Sequence, residues 1–243
     1  MLFRSSVGVV VITGAGDKAF CVGGDLEWEE WGLAEQFYWR NLPNHIVRMS
    51  RKPVIAMVKG WCIGAGNHLA YMCDFTIAAD SARFGQNGPR VGAPADGMIV
   101  NYLTRVVGTK KARELWMLCR KYTAQQALEM GLINAAVPID KLEEEVDKWC
   151  EEILSLSPGC IEVLKATFDA DIDYLSGSFG QLSRQMYPNW FHTPETKEGL
   201  KAFAEKRKPN FWAIRIAEAE KLGLSAMDVS KTDEGVFAKK DAQ

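Results

Sequence analysis

Val54-Ile-Ala-Met-Val-Lys59, Gly60-Trp-Cys-Ile-Gly64-Ala-Gly66 and Asn67-His-Leu-Ala-Tyr-Met-Cys73 follow one another and decide how this chain folds. The opening run is apolar and rich in β-branched residues, and Pro53 and Gly60 bound it. That is the pattern of a strand buried on both faces. Gly60, Gly64 and Gly66 mark a tight turn, and residues 67–73 then have helical character. The unit repeats on either side. Upstream, Val7-Gly-Val-Val-Val-Ile-Thr13 reads as a strand buried on both faces and Gly14–Asp17 as a turn. Ala19–Leu26 is a short strand containing a Gly pair, followed by an aromatic-rich helical pattern to Met49. Downstream, Phe75–Ala79 is a third strand, and a Gly/Pro-rich loop runs from Phe84 to Gly97.

Helices dominate the second half. Met98–Val107 and Lys110–Cys119 read as two of them. A third spans Thr123–Gly131, with Thr123 as N-cap and Gly131 as the left-handed residue that stops it. Leu132–Val137 is a short strand. Lys141–Leu156 is amphipathic, with Leu142, Val146, Trp149, Cys150 and Ile153 on one stripe. Pro158 opens another helix to about Asp171, and helical segments continue to Lys208, before Pro209. Strand–turn–helix units followed by helices define an α/β fold with right-handed crossovers and a C-terminal helical layer. We divide the chain into a core over 1–140, a helical region over 141–212, and a peripheral helix and tail over 213–243.

Composition narrows the function. The 243 residues are 47% hydrophobic and 25% charged, enough apolar content for a full core. No apolar run approaches the roughly 20 residues of a membrane-spanning helix. Net charge is −2 and no Lys/Arg stripe stands out, so neither nucleic acid nor a membrane is expected as a partner. The six Cys form no CxxC pair and sit in apolar or helical stretches, as buried free thiols do. A reducing, cytoplasmic setting follows. The three His have no Cys or acidic partner at ligand spacing, so no metal site is expected.

Two Gly-rich turns carry the chemistry. Val22-Gly-Gly24-Asp25 follows one strand, and Ile63-Gly-Ala65-Gly66-Asn67 opens a helix whose dipole favours negative charge. Glycine lets a backbone N–H be approached without a side chain in the way. Two such N–H groups converging on one oxygen make an oxyanion hole. Either turn alone is mere punctuation. Gly64-Ala-Gly66 has no basic residue beside it, and so is no phosphate loop.

The ordered set Gly14-Ala-Gly-Asp-Lys-Ala-Phe-Cys-Val-Gly-Gly-Asp25, Lys52–Gly60, Gly64-Ala-Gly66, Cys73-Asp74 and Phe84-Gly-Gln86 resembles the crotonase (enoyl-CoA hydratase/isomerase) superfamily. The resemblance runs from about residue 7 to about 212. It implies a ClpP-like spiral of ββα units with a C-terminal helical trimerisation layer, and assembly as a trimer or dimer of trimers. It also implies acyl-CoA thioester substrates and an enolate held by the N–H groups of Gly24 and Ala65, with Gly23, Gly64 and Gly66 shaping the substrate site. Ala65 stands where many members have Gly; the backbone donor survives that change. No tightly bound cofactor is implied, coenzyme A arriving as part of the substrate.

Within the superfamily, Phe84–Gly92, Gly108–Trp116, Met130–Asn134 and Lys197–Phe211 resemble 1,4-dihydroxy-2-naphthoyl-CoA synthases and 2-ketocyclohexanecarboxyl-CoA hydrolases. The paired Glu of hydratases align with His68 and Gly88, which removes the hydratase acid/base pair. In the synthases the Gly leaves room for bicarbonate, and Gln86, Asn87, Gly88 and Trp116 match that pocket. Asp96 occupies the active-site loop one residue after the position the relatives use. A C-terminal Tyr of the relatives aligns with Phe191, so His192 or Tyr187 is its candidate replacement. Trp28 belongs to the segment that covers the acyl group. The resemblance also places a hairpin, a strand and a helix ahead of Val7, so we expect a shortened start.

The leading expectation is ring-opening C–C hydrolysis of a cyclic β-oxoacyl-CoA, with Asp96 and His192 handling the water. A ring-forming naphthoyl-CoA synthase and a non-catalytic acyl-CoA-binding subunit remain alternatives.

Overall fold

The computed structural model describes residues 7–25, 43–170, 185–186, 189 and 192–221. Among them the chain alternates between two four-stranded sheets. β1 (Val10–Thr13), β3 (Val54–Val58), β5 (Phe75–Ala79) and β8 (Ala135–Val137) form the first in that order, all parallel. β2 (Ala19–Cys21), β4 (Trp61–Ile63), β6 (Arg83–Gly85) and β7 (Lys121–Thr123) form the second, antiparallel only between β6 and β7. Each successive strand pair gives one strand to each sheet, and helices return the chain. This is the ββα spiral expected. The helices are α1 (Pro43–Met49), α2 (Ala65–Met72), α3 (Gly88–Val91), α4 (Met98–Leu118), α5 (Ala124–Glu129), α6 (Leu142–Leu154), α7 (Pro158–Ala170), α8 (Pro194–Ala204) and α9 (Phe211–Lys221).

β3 is buried along its whole length. Its side chains alternate between faces. Val54, Ala56 and Val58 join the main core, which also holds Phe84, Met98, Leu103 and Leu115. Ile55 and Met57 join a second cluster with Ile77, Leu142 and Val146, beneath α6. The first sheet is thus a layer between two cores. β1 departs from expectation. It lies at the end of the strand order and its residues alternate between half-buried and exposed. An apolar run alone does not distinguish an edge strand from a central one.

The Thr123 cap is present: its hydroxyl accepts from Gln126 N–H, and the Gln126 side chain returns a bond to Thr123 N–H. Gly131 has φ +75° and ends that helix. α4 is the expected pair of helices, broken at Gly108 (φ +75°, ψ 155°). The second sheet was not foreseen beyond β2, because three-residue strands are too short to show a period. Cys160 is exposed rather than buried. The C-terminal helix begins at Phe211, two residues before the expected boundary, and residues 222–243, read as a tail, lie outside the described residues.

An ion pair between buried Lys165 and partly exposed Asp74 ties α7 to the core. Lys165 Nζ donates to Asp74 Oδ2 at 2.5 Å, Val47 O at 3.1 Å and Lys52 O at 3.2 Å. Asp74 Oδ2 also accepts from Val54 N–H at 2.7 Å, where β3 begins.

Candidate active site

β2 and β4 are parallel neighbours, so the glycine turns that follow them lie side by side. Gly23 has φ +121° and Gly64 φ +58°, conformations that favour glycine. Gly64 is the N-cap of α2 and has no side chain to cap with, so the first helical N–H, that of Ala65, is left over. Neither the Ala65 N–H nor the Gly24 N–H finds an acceptor among the described residues. Both residues are exposed in the wall of a cavity of about 430 Å³. The turns are close: a Cβ on Gly23 would lie 4.0 Å from Ala65 N. Gly66, expected at the substrate, instead faces away from the cavity. A Cβ there would drive into the Cys21 carbonyl, so its role is to let α2 press against β2.

The opposite wall is polar. Gln86 is fully buried, and its Oε1 lies 3.0 Å from His68 Nε2. Burial pushes the His68 pKa down to about 4, although the Gln86 bond opposes it. The ring is therefore neutral at pH 7, and since an amide oxygen only accepts, Nε2 carries the proton. The His68 and Trp116 rings sit 5.1 Å apart. Two buried donors then have no acceptor among the described residues: Gln86 Nε2 and Trp116 Nε1. Leaving a buried donor unmet costs about 1–3 kcal/mol. Asn87 and Gly88 line the same cavity. All four residues of the expected anion pocket are thus brought together.

Lys121, Phe203 and Trp61 also line the cavity, and sequence reasoning missed all three. Lys121 arrives by the antiparallel register of β7 opposite Gly85 on β6. No motif marks it. Its Nζ donates to Gln86 O at 2.6 Å.

The two acid/base candidates are elsewhere. Asp96 lies in the loop before α4 and His192 just before α8; neither is in the cavity wall. His192 is exposed, and its backbone N–H donates to Asn189 O at 2.9 Å. Trp28, Phe191 and Tyr187 fall outside the described residues.

Ala93, Pro94, Ala95 and Trp116 separate the cavity from a second, apolar one of about 570 Å³, lined also by Val100 and Phe211. α8 closes this side. Thr196 Oγ1 donates to Gly92 O at 3.1 Å, and Gly199 lets α8 approach the Val91 carbonyl. Among the described residues no group of three or more His, Cys, Asp or Glu is placed to hold a metal ion. No helix among them is long and apolar enough to cross a membrane.

The two-sheet spiral thus carries two neighbouring backbone N–H groups, without acceptors among the described residues, in the wall of a cavity. The family model described as enoyl-CoA hydratase/isomerase matches residues 3–213, and the chain belongs to that family, within the crotonase superfamily of acyl-CoA-processing enzymes. Solved structures agree. An enoyl-CoA hydratase/carnithine racemase from Magnetospirillum magneticum is 30% identical over 86% of this chain and 80% of its own, with TM-score 0.66. An enoyl-CoA hydratase from Bacillus anthracis is 33% identical over 86% and 83%, with TM-score 0.63. A methylmalonyl-CoA decarboxylase complexed with 2S-carboxypropyl CoA is 26% identical over 85% and 82%, with TM-score 0.76.

Proposed function

We propose that this protein binds an acyl-CoA thioester with its carbonyl oxygen on the Gly24 and Ala65 N–H groups, loses an α-proton to form the enolate, and adds that α-carbon to a carboxyl carbon of the same acyl group, which leaves its oxygen as water and closes a cyclic β-oxoacyl ring. The observation that carries this reading is that the Gly24 and Ala65 N–H groups, without acceptors among the described residues, line one cavity with Gln86 and Trp116, whose buried donors also have no acceptor among the described residues. As the α-proton leaves, charge grows on the thioester oxygen, where the two N–H groups strengthen their bonds. Gln86 Nε2 and Trp116 Nε1 suit a small anion. Bicarbonate bound there would supply the base that the described cavity wall lacks. His68, neutral and donating to Gln86 Oε1, fixes the amide so that its NH₂ points to the anion. The adjoining apolar cavity gives a bulky ring space.

Ring-opening hydrolysis of a cyclic β-oxoacyl-CoA uses the same enolate in the reverse sense. It rested on Asp96 and His192, and their positions outside the cavity wall favour the condensation. Self-association as a trimer or dimer of trimers accompanies the proposal, supported by the exposed Val163, Leu164 and Phe168 on α7.

The test is product analysis with succinylbenzoyl-CoA, with and without bicarbonate. Ring closure that depends on bicarbonate supports the proposal. Opening of 2-oxocyclohexanecarbonyl-CoA to a pimeloyl-CoA, with no closure reaction, reverses its direction. Binding of acyl-CoA without any α-proton exchange in D₂O identifies a non-catalytic subunit and overturns it.

A further inference from the structure

Lys121 is the one cation in the described wall of the oxyanion cavity, and no described Asp or Glu lines that wall. The ammonium makes no ion pair among the described residues. The nearby Glu114 carboxylate is already committed, accepting from Lys111 at 3.2 Å, Arg120 at 3.0 Å and Tyr122 at 2.6 Å. One of the three N–H donors of Lys121 goes to Gln86 O. That bond ties the amine to the residue whose side chain meets His68, at the reacting end of the cavity rather than on a remote surface. The site is built for the side chain. Gly85 lies directly opposite, and a Cβ there would come within 2.8 Å of Lys121 Cδ. Lys121 is itself exposed; the partial desolvation of its amine lowers the pKa, Cys119 opposes that shift and Arg90 adds to it.

We infer that Lys121 recognises a carboxylate carried by the acyl group, so that the substrate class is carboxylated acyl-CoA thioesters rather than neutral ones. This rests on the acyl-CoA reading above and adds the substrate's charge to it. A CoA phosphate offers the same chemistry, and the experiment separates the two sources.

The experiment is calorimetric titration of the full chain with free CoA, with neutral acyl-CoAs, and with ω-carboxyacyl-CoAs of matched length from malonyl to adipoyl. A charge-assisted pair predicts about tenfold tighter binding of at least one carboxylated ligand over its neutral match. Lys121→Met brings that ratio to near one, and Lys121→Arg restores most of it. The inference is overturned if the wild type shows no preference, or if the ratio survives in Lys121→Met. It is also overturned if Lys121→Met weakens free CoA by the same factor, which assigns the cation to the CoA phosphates. Failure of every CoA ligand to bind overturns the acyl-CoA reading itself, and this inference with it.

Discussion

Ala65→Pro removes one oxyanion donor and puts the proline Cδ where its hydrogen pointed. Ala65 is the first residue of α2, the one helical position where proline is favoured, because the lost N–H has no intrahelical acceptor. Its N–H has no other acceptor among the described residues. Gly64, which precedes it, is not helical (φ +58°, ψ −124°) and has no Cβ, so the usual clash before proline is relieved. The opposing Gly23 leaves open space at this point. Stability should therefore change by less than about 1 kcal/mol. Loss of one preorganised donor costs about 2.7–4 kcal/mol in the transition state, or about 100- to 1,000-fold in rate. The assay is exchange of the α-protons of succinylbenzoyl-CoA with D₂O by NMR, beside urea unfolding. Ala65→Gly, which keeps the N–H, should retain exchange within a few-fold. A stably folded Ala65→Pro variant that exchanges protons as fast as the wild type would refute the reasoning.

Three further outcomes are expected. Gly66→Ala drives a Cβ into the Cys21 carbonyl, so it should cost about 1–3 kcal/mol of stability and also lose exchange; loss of neither contradicts the packing role. Lys165→Met leaves partly exposed Asp74 and two main-chain oxygens without Lys165, and should lower the unfolding free energy by about 1–3 kcal/mol; a change below about 0.5 kcal/mol refutes the clasp. His68 and His45 are each held near a pKa of about 4, below their unfolded value of 6.5, so the unfolded chain takes up protons first as pH falls. Their contribution is complete above pH 6.5 and is lost between 6.5 and 4, by up to about 3 kcal/mol for His68. Urea midpoints measured from pH 7.5 to 4.5 should fall over that window, and a flat profile contradicts neutral burial of these rings.

How far the sequence foretold the molecule varies by element. Val54–Val58 and Phe75–Ala79 were legible because continuous burial leaves an unbroken apolar run. Thr123 and Gly131 were legible because a cap needs a particular oxygen and a left-handed residue needs glycine. β4, β6 and β7 were not, since three residues carry no period and their pairing is set by the first sheet. The glycine turns were legible as turns, and Gly24 and Ala65 as donors from the resemblance; Gly66 was not legible as a packing residue, because its need for space comes from Cys21, far away in sequence. Gln86 and Trp116 were read from the resemblance; that both keep a buried donor without an acceptor is a tertiary fact. Lys121 could not be found at all without the register of β7. Asp96 and His192 were read from their places in the resemblance, in the active-site loop and beside the aligned Tyr position; neither is among the described residues that line the cavity.

The central claim is that the Gly24 and Ala65 N–H groups hold a thioester oxygen. A crystal structure with acetoacetyl-CoA bound tests it most directly. The expected result is the thioester oxygen about 2.7–3.1 Å from both nitrogens, with the acyl chain directed toward Gln86 and Trp116. A thioester carbonyl bound elsewhere, with both N–H groups facing only solvent, would contradict it.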